Sequence, residues 1–223
     1  QIRILSKLKQ IAIDESNKLA DELKLNRPIL NTCVKPSGTI SLLPNVSAGV
    51  HHSHSEYYIR RIRINAFDPL ALALKDMGYN LIPEVGSTKE NCKTVVVEFP
   101  MQAPKGKTKF DVTAIEQLEN YKMFMKYYAN HNVSITVTVR ENEWEQVEDW
   151  LWNNWDDIVA ISFLALDDAI YQLMPFEEIT EERYGDMCKI TPKFNPSFIS
   201  KYEKGEEFEI IDSECESGIC PIK

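Results

Sequence analysis

Apolar residues recur at helical spacing over residues 4–23 (Ile4, Leu5, Leu8, Ile11, Ala12, Leu19 and Leu23), with lysines and acids between them, which predicts an amphipathic helix packed along one face. The run 29–34 reads as a buried strand, stopped by Pro36 and Gly38. Asp68 followed by Pro69 supplies an N-cap and a first helical residue, and Gly78 sits where a left-handed residue would close that helix at about Met77. A β-branched run at 94–99 predicts a strand, and Thr113 with Glu116 forms a capping box that opens a helix toward Asn130. Val133, Ile135, Val137 and Val139 alternate with Ser134, Thr136 and Thr138, the period-two signature of a strand whose polar face is hydroxyl. Asn142 is placed to cap a helix over 143–155 with Trp144, Val147, Leu151 and Trp155 on one stripe, and 158–166 reads as another apolar strand. A short helix is expected after Thr180. Beyond Thr191 prolines and acids thin the pattern, so residues 1–203 are expected to form the folded part and 204–223 a mobile polar tail.

This alternation of strands and helices defines an α/β protein, with parallel strands joined by crossovers in a sheet or barrel covered outside by helices. Its 223 residues, 43% of them hydrophobic, suffice for a sizeable core. Lysine and arginine number 25 against 34 acids, a net charge of -9, which argues against duplex nucleic acid or an anionic membrane as the main partner. No apolar run approaches the roughly 20 residues that cross a bilayer, and the start of the chain has no signal-peptide pattern, so a cytoplasmic location is expected. Five cysteines in a chain of this size are too few for a disulfide framework and point to redox or catalytic thiols. Opening on Gln1 within a helical pattern, the sequence reads as a piece of a longer polypeptide.

Three segments carry candidate chemistry. Ser37, Gly38, Thr39, Ile40 and Ser41 follow the first expected strand, and a turn of glycine and hydroxyl residues leading into a helical start can aim amides, hydroxyls and a helix dipole at phosphate. The same residues also suit an ordinary turn whose hydroxyls only cap the next helix. Cys215 and Cys220, separated by four residues that include Gly218, can close a small disulfide ring and exchange as an exposed dithiol; zinc would need further ligands, and an inert terminus is the plain alternative. Acids on both sides of Cys215 should raise its thiol pKa and slow it until the tail docks. In the third segment His52 and His54 would share a face of an extended strand, yet no third metal ligand stands at a fitting spacing. The nearby Arg60, Arg61 and Arg63 are expected to pair with carboxylates or to line an anionic site, and the tryptophan-rich helix to pack into the core.

The run Val34-Lys35-Pro36-Ser37-Gly38-Thr39-Ile40-Ser41-Leu42-Leu43, continuing through Gly49 and Ser53 to Tyr58-Ile59-Arg60-Arg61, resembles the carboxy-terminal half of the adenosylcobalamin-dependent (class II) ribonucleotide reductases, most closely the ribonucleoside-triphosphate type. The likeness extends through residues 175–180 to the terminal cysteines and Pro221-Ile222-Lys223. It implies a ten-stranded α/β barrel of two half-barrels around a finger loop, of which this chain would supply part of the second half and the tail. It further implies that Ser37 to Ser41 hold the phosphates of a ribonucleoside triphosphate. Cys215 and Cys220 would relay electrons from thioredoxin to cysteines inside the barrel. Adenosylcobalamin contacts would fall broadly within 49–110 and near the carboxy end before the tail, with His52, His54 and Tyr57 as candidates.

The radical cysteine of such enzymes lies in an Asn-x-Cys-x-Glu context, which none of Cys33, Cys92, Cys188, Cys215 or Cys220 occupies. This chain alone is therefore expected to turn nothing over and to need the missing amino-terminal part of the same enzyme. Cys33 and Cys188 read as buried or structural thiols and Cys92 as incidental. Two rivals stand beside this reading: a phosphate-binding α/β hydrolase or synthase, and a noncatalytic redox-responsive phosphate-binding module.

Overall fold

The computed structural model describes residues 1–38, 40–88, 91–166 and 172–203. In chain order its elements are α1 (Ile2–Glu22), β1 (Tyr57–Asn65), α2 (Pro69–Asp76), β2 (Leu81–Pro83), β3 (Thr94–Gln102), α3 (Ala114–Tyr127), β4 (Thr136–Val139), α4 (Trp144–Asn153), β5 (Ser162–Ala165), β6 (Phe176–Glu178) and α5 (Glu181–Ile190), with short 3₁₀ turns between. Three helix starts form as their sequences require. The Asp68 carboxylate accepts from the Leu70 amide, and the Thr180 hydroxyl accepts from the Arg183 amide. The Glu116 amide donates to the Thr113 hydroxyl and the Thr113 amide to the Glu116 carboxylate. Gly78 closes α2 with φ +86.

Residue contacts divide the chain into two compact units, one of Gln1–Ile62 with Glu98–Thr191 and one of Arg63–Val97 with the residues from Pro192 on. In the first unit β4 and β5 pair in parallel, from Thr136 opposite Ser162 to Val139 opposite Ala165. Val137 and Val139 are wholly buried in a core shared with Leu118 and Tyr121 of α3 and Val147 and Trp150 of α4. Because backbone groups alternate in direction along a strand, Ile135 and Val139 turn their carbonyls to β5 while Thr136 and Thr138 face the other edge. There the side chain of buried Gln117 stands in for a neighbouring peptide, donating to the Thr138 carbonyl at 3.0 Å and accepting from its amide at 3.1 Å. The Thr136 amide donates to His51 Nε2 at 3.0 Å, and Val133 forms a single parallel bridge with Val34.

Also in this unit, β1 pairs antiparallel with β6, Tyr58 opposite Glu178 and Arg60 opposite Phe176, while the Ala103 amide just past β3 donates to the Glu56 carbonyl just before β1. Arg61, 7% exposed, bonds Glu98 of β3 at 2.7 Å, Glu177 of β6 at 2.6 Å and the Met174 carbonyl at 3.1 Å. The expected pairing of these arginines with carboxylates holds for it.

In the second unit β2 pairs antiparallel with β3, Leu81 opposite Val97. Ala71, Ala73 and Leu74 of α2 and Val95 and Val96 of β3 are buried. Tyr79 donates its hydroxyl to the Pro192 carbonyl at 2.7 Å, and Lys201 pairs with Asp76 at 3.1 Å.

Several expectations are corrected. Among the described strands β4 and β5 pair in parallel, whereas β1–β6 and β2–β3 are antiparallel; the connection 84–93 is shorter than the dozen or more residues a parallel crossover takes. The run 29–34 is not a buried strand, since Ile29 is 91% exposed and the segment is hooked at Thr32. There the Asn130 side chain accepts from the Asn31 and Thr32 amides at 2.9 Å, and the Thr32 hydroxyl donates to the Tyr128 carbonyl at 2.7 Å. Asn142 does not cap α4. Residues 141–143 form a 3₁₀ turn, and the buried Glu143 carboxylate takes the amides of Arg140 and Ala114 instead. Of the tryptophans only Trp150 joins the core, its indole donating to Glu119 at 2.6 Å; Trp152 and Trp155 are 84% and 71% exposed, because α4 ends at Asn153 and turns 152 away from the 147–150 face. Cys33 and Cys188 are exposed rather than buried, and Cys92 is half-buried with its thiol on the Thr94 carbonyl. No described helix is long and apolar enough to cross a membrane.

Candidate functional site

The glycine-hydroxyl turn lies in the first unit. Its near end is fixed where Val34 bridges to Val133 and the Lys35 ammonium donates to the Ser134 hydroxyl at 2.9 Å. Ser37 and Ser41 then close the turn on itself: the Ser37 hydroxyl accepts from the Ser41 amide at 2.9 Å, and the Ser41 hydroxyl donates to the Ser37 carbonyl at 2.9 Å. Ser41 is buried by this, whereas Ile40 is 74% exposed. Thr39 lies outside the described residues. The expected helical start is only the 3₁₀ turn Ile40–Leu42, too short to sum a useful dipole, so any anion here depends on turn amides, hydroxyls and neighbouring cations.

Two residues support the turn from outside it. Gly49 has φ +62, and a Cβ there would stand 3.3 Å from the Lys35 carbonyl oxygen and 3.4 Å from the Pro36 Cα. Only glycine allows both the backbone conformation and the approach. Gly49→Ala is expected to lower stability by about 1–3 kcal/mol, the left-handed strain plus displacement of the 35–36 backbone; comparison of urea midpoints for the two proteins checks this. Arg60 reaches the turn from β1, its guanidinium donating to the Gly38 carbonyl at 3.2 Å. Successive strand residues face opposite ways, so Arg60 serves the turn while Arg61 serves the carboxylates. A paired arginine in a strand was the available signal; which of the two went where was not readable without the fold.

The histidines and Tyr57 do not converge. His51 is fastened between the Ala48 carbonyl, 3.0 Å from Nδ1, and the Thr136 amide that donates to Nε2, which requires the Nδ1–H tautomer. His52 lines an open 700 Å³ cleft with Gly49, Val50, Lys107, Glu116 and Asn120; burial and the Lys107 charge lower its pKa. His54 stacks on Phe176 at 5.7 Å and meets Tyr58 edge-on at 6.4 Å, and burial, aided by the Lys109 charge, brings its pKa down to about 4. It is therefore neutral at pH 7 and adds no charge to an anion site. Tyr57 meets Tyr184 in a tilted ring contact at 5.1 Å and accepts from the Gln102 side chain at 3.3 Å. Among the described residues no cluster of three or more His, Cys, Asp or Glu side chains could hold a metal ion. Cys215 and Cys220 lie outside the described residues.

The structure superposes on a crystal structure of a B12-dependent (class II) ribonucleotide reductase with a TM-score of 0.75 and 28% identity, over 91% of this chain and 28% of the other. The fold is thus a part of the ribonucleotide reductase α/β barrel. No family model matches the sequence. Curated relatives are more specific: adenosylcobalamin-dependent ribonucleoside-triphosphate reductases of Lactobacillus gasseri, 32% identical over all of this chain, and of Levilactobacillus brevis, 33% identical over 97% of it. A probable reductase of the same kind from Dictyostelium discoideum is 34% identical over 92%. The chain spans about 30% of the length of these relatives. It is homologous, end to end, to a portion of the adenosylcobalamin-dependent ribonucleoside-triphosphate reductases.

Proposed function

We propose that this chain is the portion of a ribonucleoside-triphosphate reductase that grips the substrate's phosphates and ends in its redox relay. The observation that carries this reading is the match along the whole chain to reductases of that one activity, and it disfavours a free-standing phosphate-binding module. In the proposed reaction the ribose 2'-hydroxyl leaves as water and hydrogen takes its place. The two electrons come from a cysteine dithiol elsewhere in the enzyme, which becomes a disulfide. The Cys215–Cys220 dithiol then reduces that disulfide by exchange and is itself reduced by thioredoxin.

Within the described chain, the turn at Ser37 to Ser41 is the proposed phosphate seat. Ser37 and Ser41 hold its curvature through their mutual bonds, and the positive charge of Arg60 lies against it at the Gly38 carbonyl. Adenosylcobalamin, when bound, supplies a cobalt–carbon bond whose homolysis starts radical chemistry. Of the three residues expected to meet it, only His52 lines the cleft; His54 is occupied by Phe176 and Tyr57 by Tyr184.

The complete polypeptide, given adenosylcobalamin, reduced thioredoxin and a ribonucleoside triphosphate, is expected to form the deoxyribonucleotide, and this chain by itself none. Ser37→Ala should raise KM for the triphosphate about tenfold and change kcat less than about threefold. Absence of deoxyribonucleotide from the complete polypeptide, or an unchanged KM in the variant, would contradict the reading.

A further inference from the structure

Arg60 is held more rigidly than a surface cation needs. Its guanidinium lies 4.5 Å over the Phe176 ring and donates to three carbonyl oxygens, those of Arg61 at 3.0 Å, Pro175 at 3.2 Å and Gly38 at 3.2 Å. Phe176 is fixed in turn by stacking on His54 and by a tilted contact with Tyr58 at 5.6 Å. Two of the carbonyls and the ring therefore fix the guanidinium on the β1–β6 ladder, while its Nη2 donates to the turn. The part of the turn that this guanidinium bonds, the Gly38 carbonyl, is an acceptor, and an acceptor facing an anion is repulsive. A guanidinium on that carbonyl withdraws it and places a positive charge beside the seat. The planar fork matters, since one ammonium cannot reproduce three divergent donors and a flat contact with a ring.

We propose that Arg60 is a positioning residue for phosphate binding: anchored by Phe176 and the Pro175 and Arg61 carbonyls, it holds the Gly38 carbonyl and so presets the turn for a nucleoside triphosphate. This rests on the reading of the turn as the phosphate seat. The ladder and the seat then act as one device, because the register that sets Arg60 opposite Phe176 also sets the guanidinium under Gly38.

The test uses the complete reductase polypeptide with Arg60→Gln and Arg60→Lys, and inorganic tripolyphosphate as a competitive inhibitor. Arg60→Gln is expected to raise KM for the triphosphate about tenfold and to weaken tripolyphosphate inhibition in the same proportion, with kcat within about twofold. Arg60→Lys restores the charge without the fork and should recover only part of the loss. A role confined to folding would lower the melting temperature and active fraction and leave both constants unmoved, which would overturn the inference. If Arg60→Gln fails to fold, Arg60→Lys decides it on the same two constants. Ser37→Ala separates the two readings: a raised KM in that variant with none in the Arg60 variants sinks the role of Arg60 alone, and no change in either sinks the phosphate seat itself.

Discussion

Cys215→Ser or Cys220→Ser, made in the complete polypeptide, is expected to cut thioredoxin-supported turnover by about a hundredfold or more while leaving a single round of product from prereduced enzyme. The reason is electron bookkeeping: each deoxyribonucleotide consumes two electrons, and a dithiol buried in a barrel needs a carrier able to reach both it and an external reductant. One serine removes the exchange, because a mixed disulfide formed by the remaining thiol has no partner to resolve it. A rapid-quench count of product per enzyme, with and without thioredoxin, reads both quantities. Equal steady-state rates in variant and parent would remove the relay from the tail, and loss of the first round as well would place the cysteines in the chemistry itself.

Arg61→Ala should be the most destabilising of the substitutions considered. Burial by itself would lower the arginine's pKa, but its hydrogen bonds to Glu177 and Glu98 outweigh that and hold it above the usual value. Removing the cation leaves both carboxylates facing each other with their shared donor gone. The expected loss is about 2–4 kcal/mol, reduced from that of a fully buried pair because Glu177 is 43% exposed to solvent. Denaturant titration of the complete protein measures it. The triple variant Arg61→Met with Glu98→Gln and Glu177→Gln should recover more than half, since no unpaired charge remains. A loss below about 0.5 kcal/mol for Arg61→Ala would mean that water replaces the guanidinium at no cost.

Local chemistry made much of this fold readable. The Asp68, Thr113 and Thr180 caps each depend on residues within three positions, and all three formed. The hydroxyl-valine alternation placed β4, whose inward valines are wholly buried. What failed was decided at long range. Residues 29–34 have strand composition, yet Asn130, about a hundred positions away, takes the amides that a neighbouring strand would have used. Asn142 is a good cap by type, but Glu143 reaches both the Arg140 amide and the start of α3, a contact no local pattern contains. The exposed tryptophans look apolar in any periodicity count, and only the end of α4 at Asn153 shows that their stripe is broken. For the turn, serine and glycine spacing marked the place, while the roles of Gly49 and Arg60 required knowing which backbones approach.

The Gln117 amide has a consequence for how a barrel can be built from this piece. Gln117 takes both backbone groups of Thr138 and His51 takes the Thr136 amide, so beyond the Val34–Val133 bridge side chains occupy this flank of β4. A sister copy or stray segment therefore finds few free backbone groups there on which to add a strand.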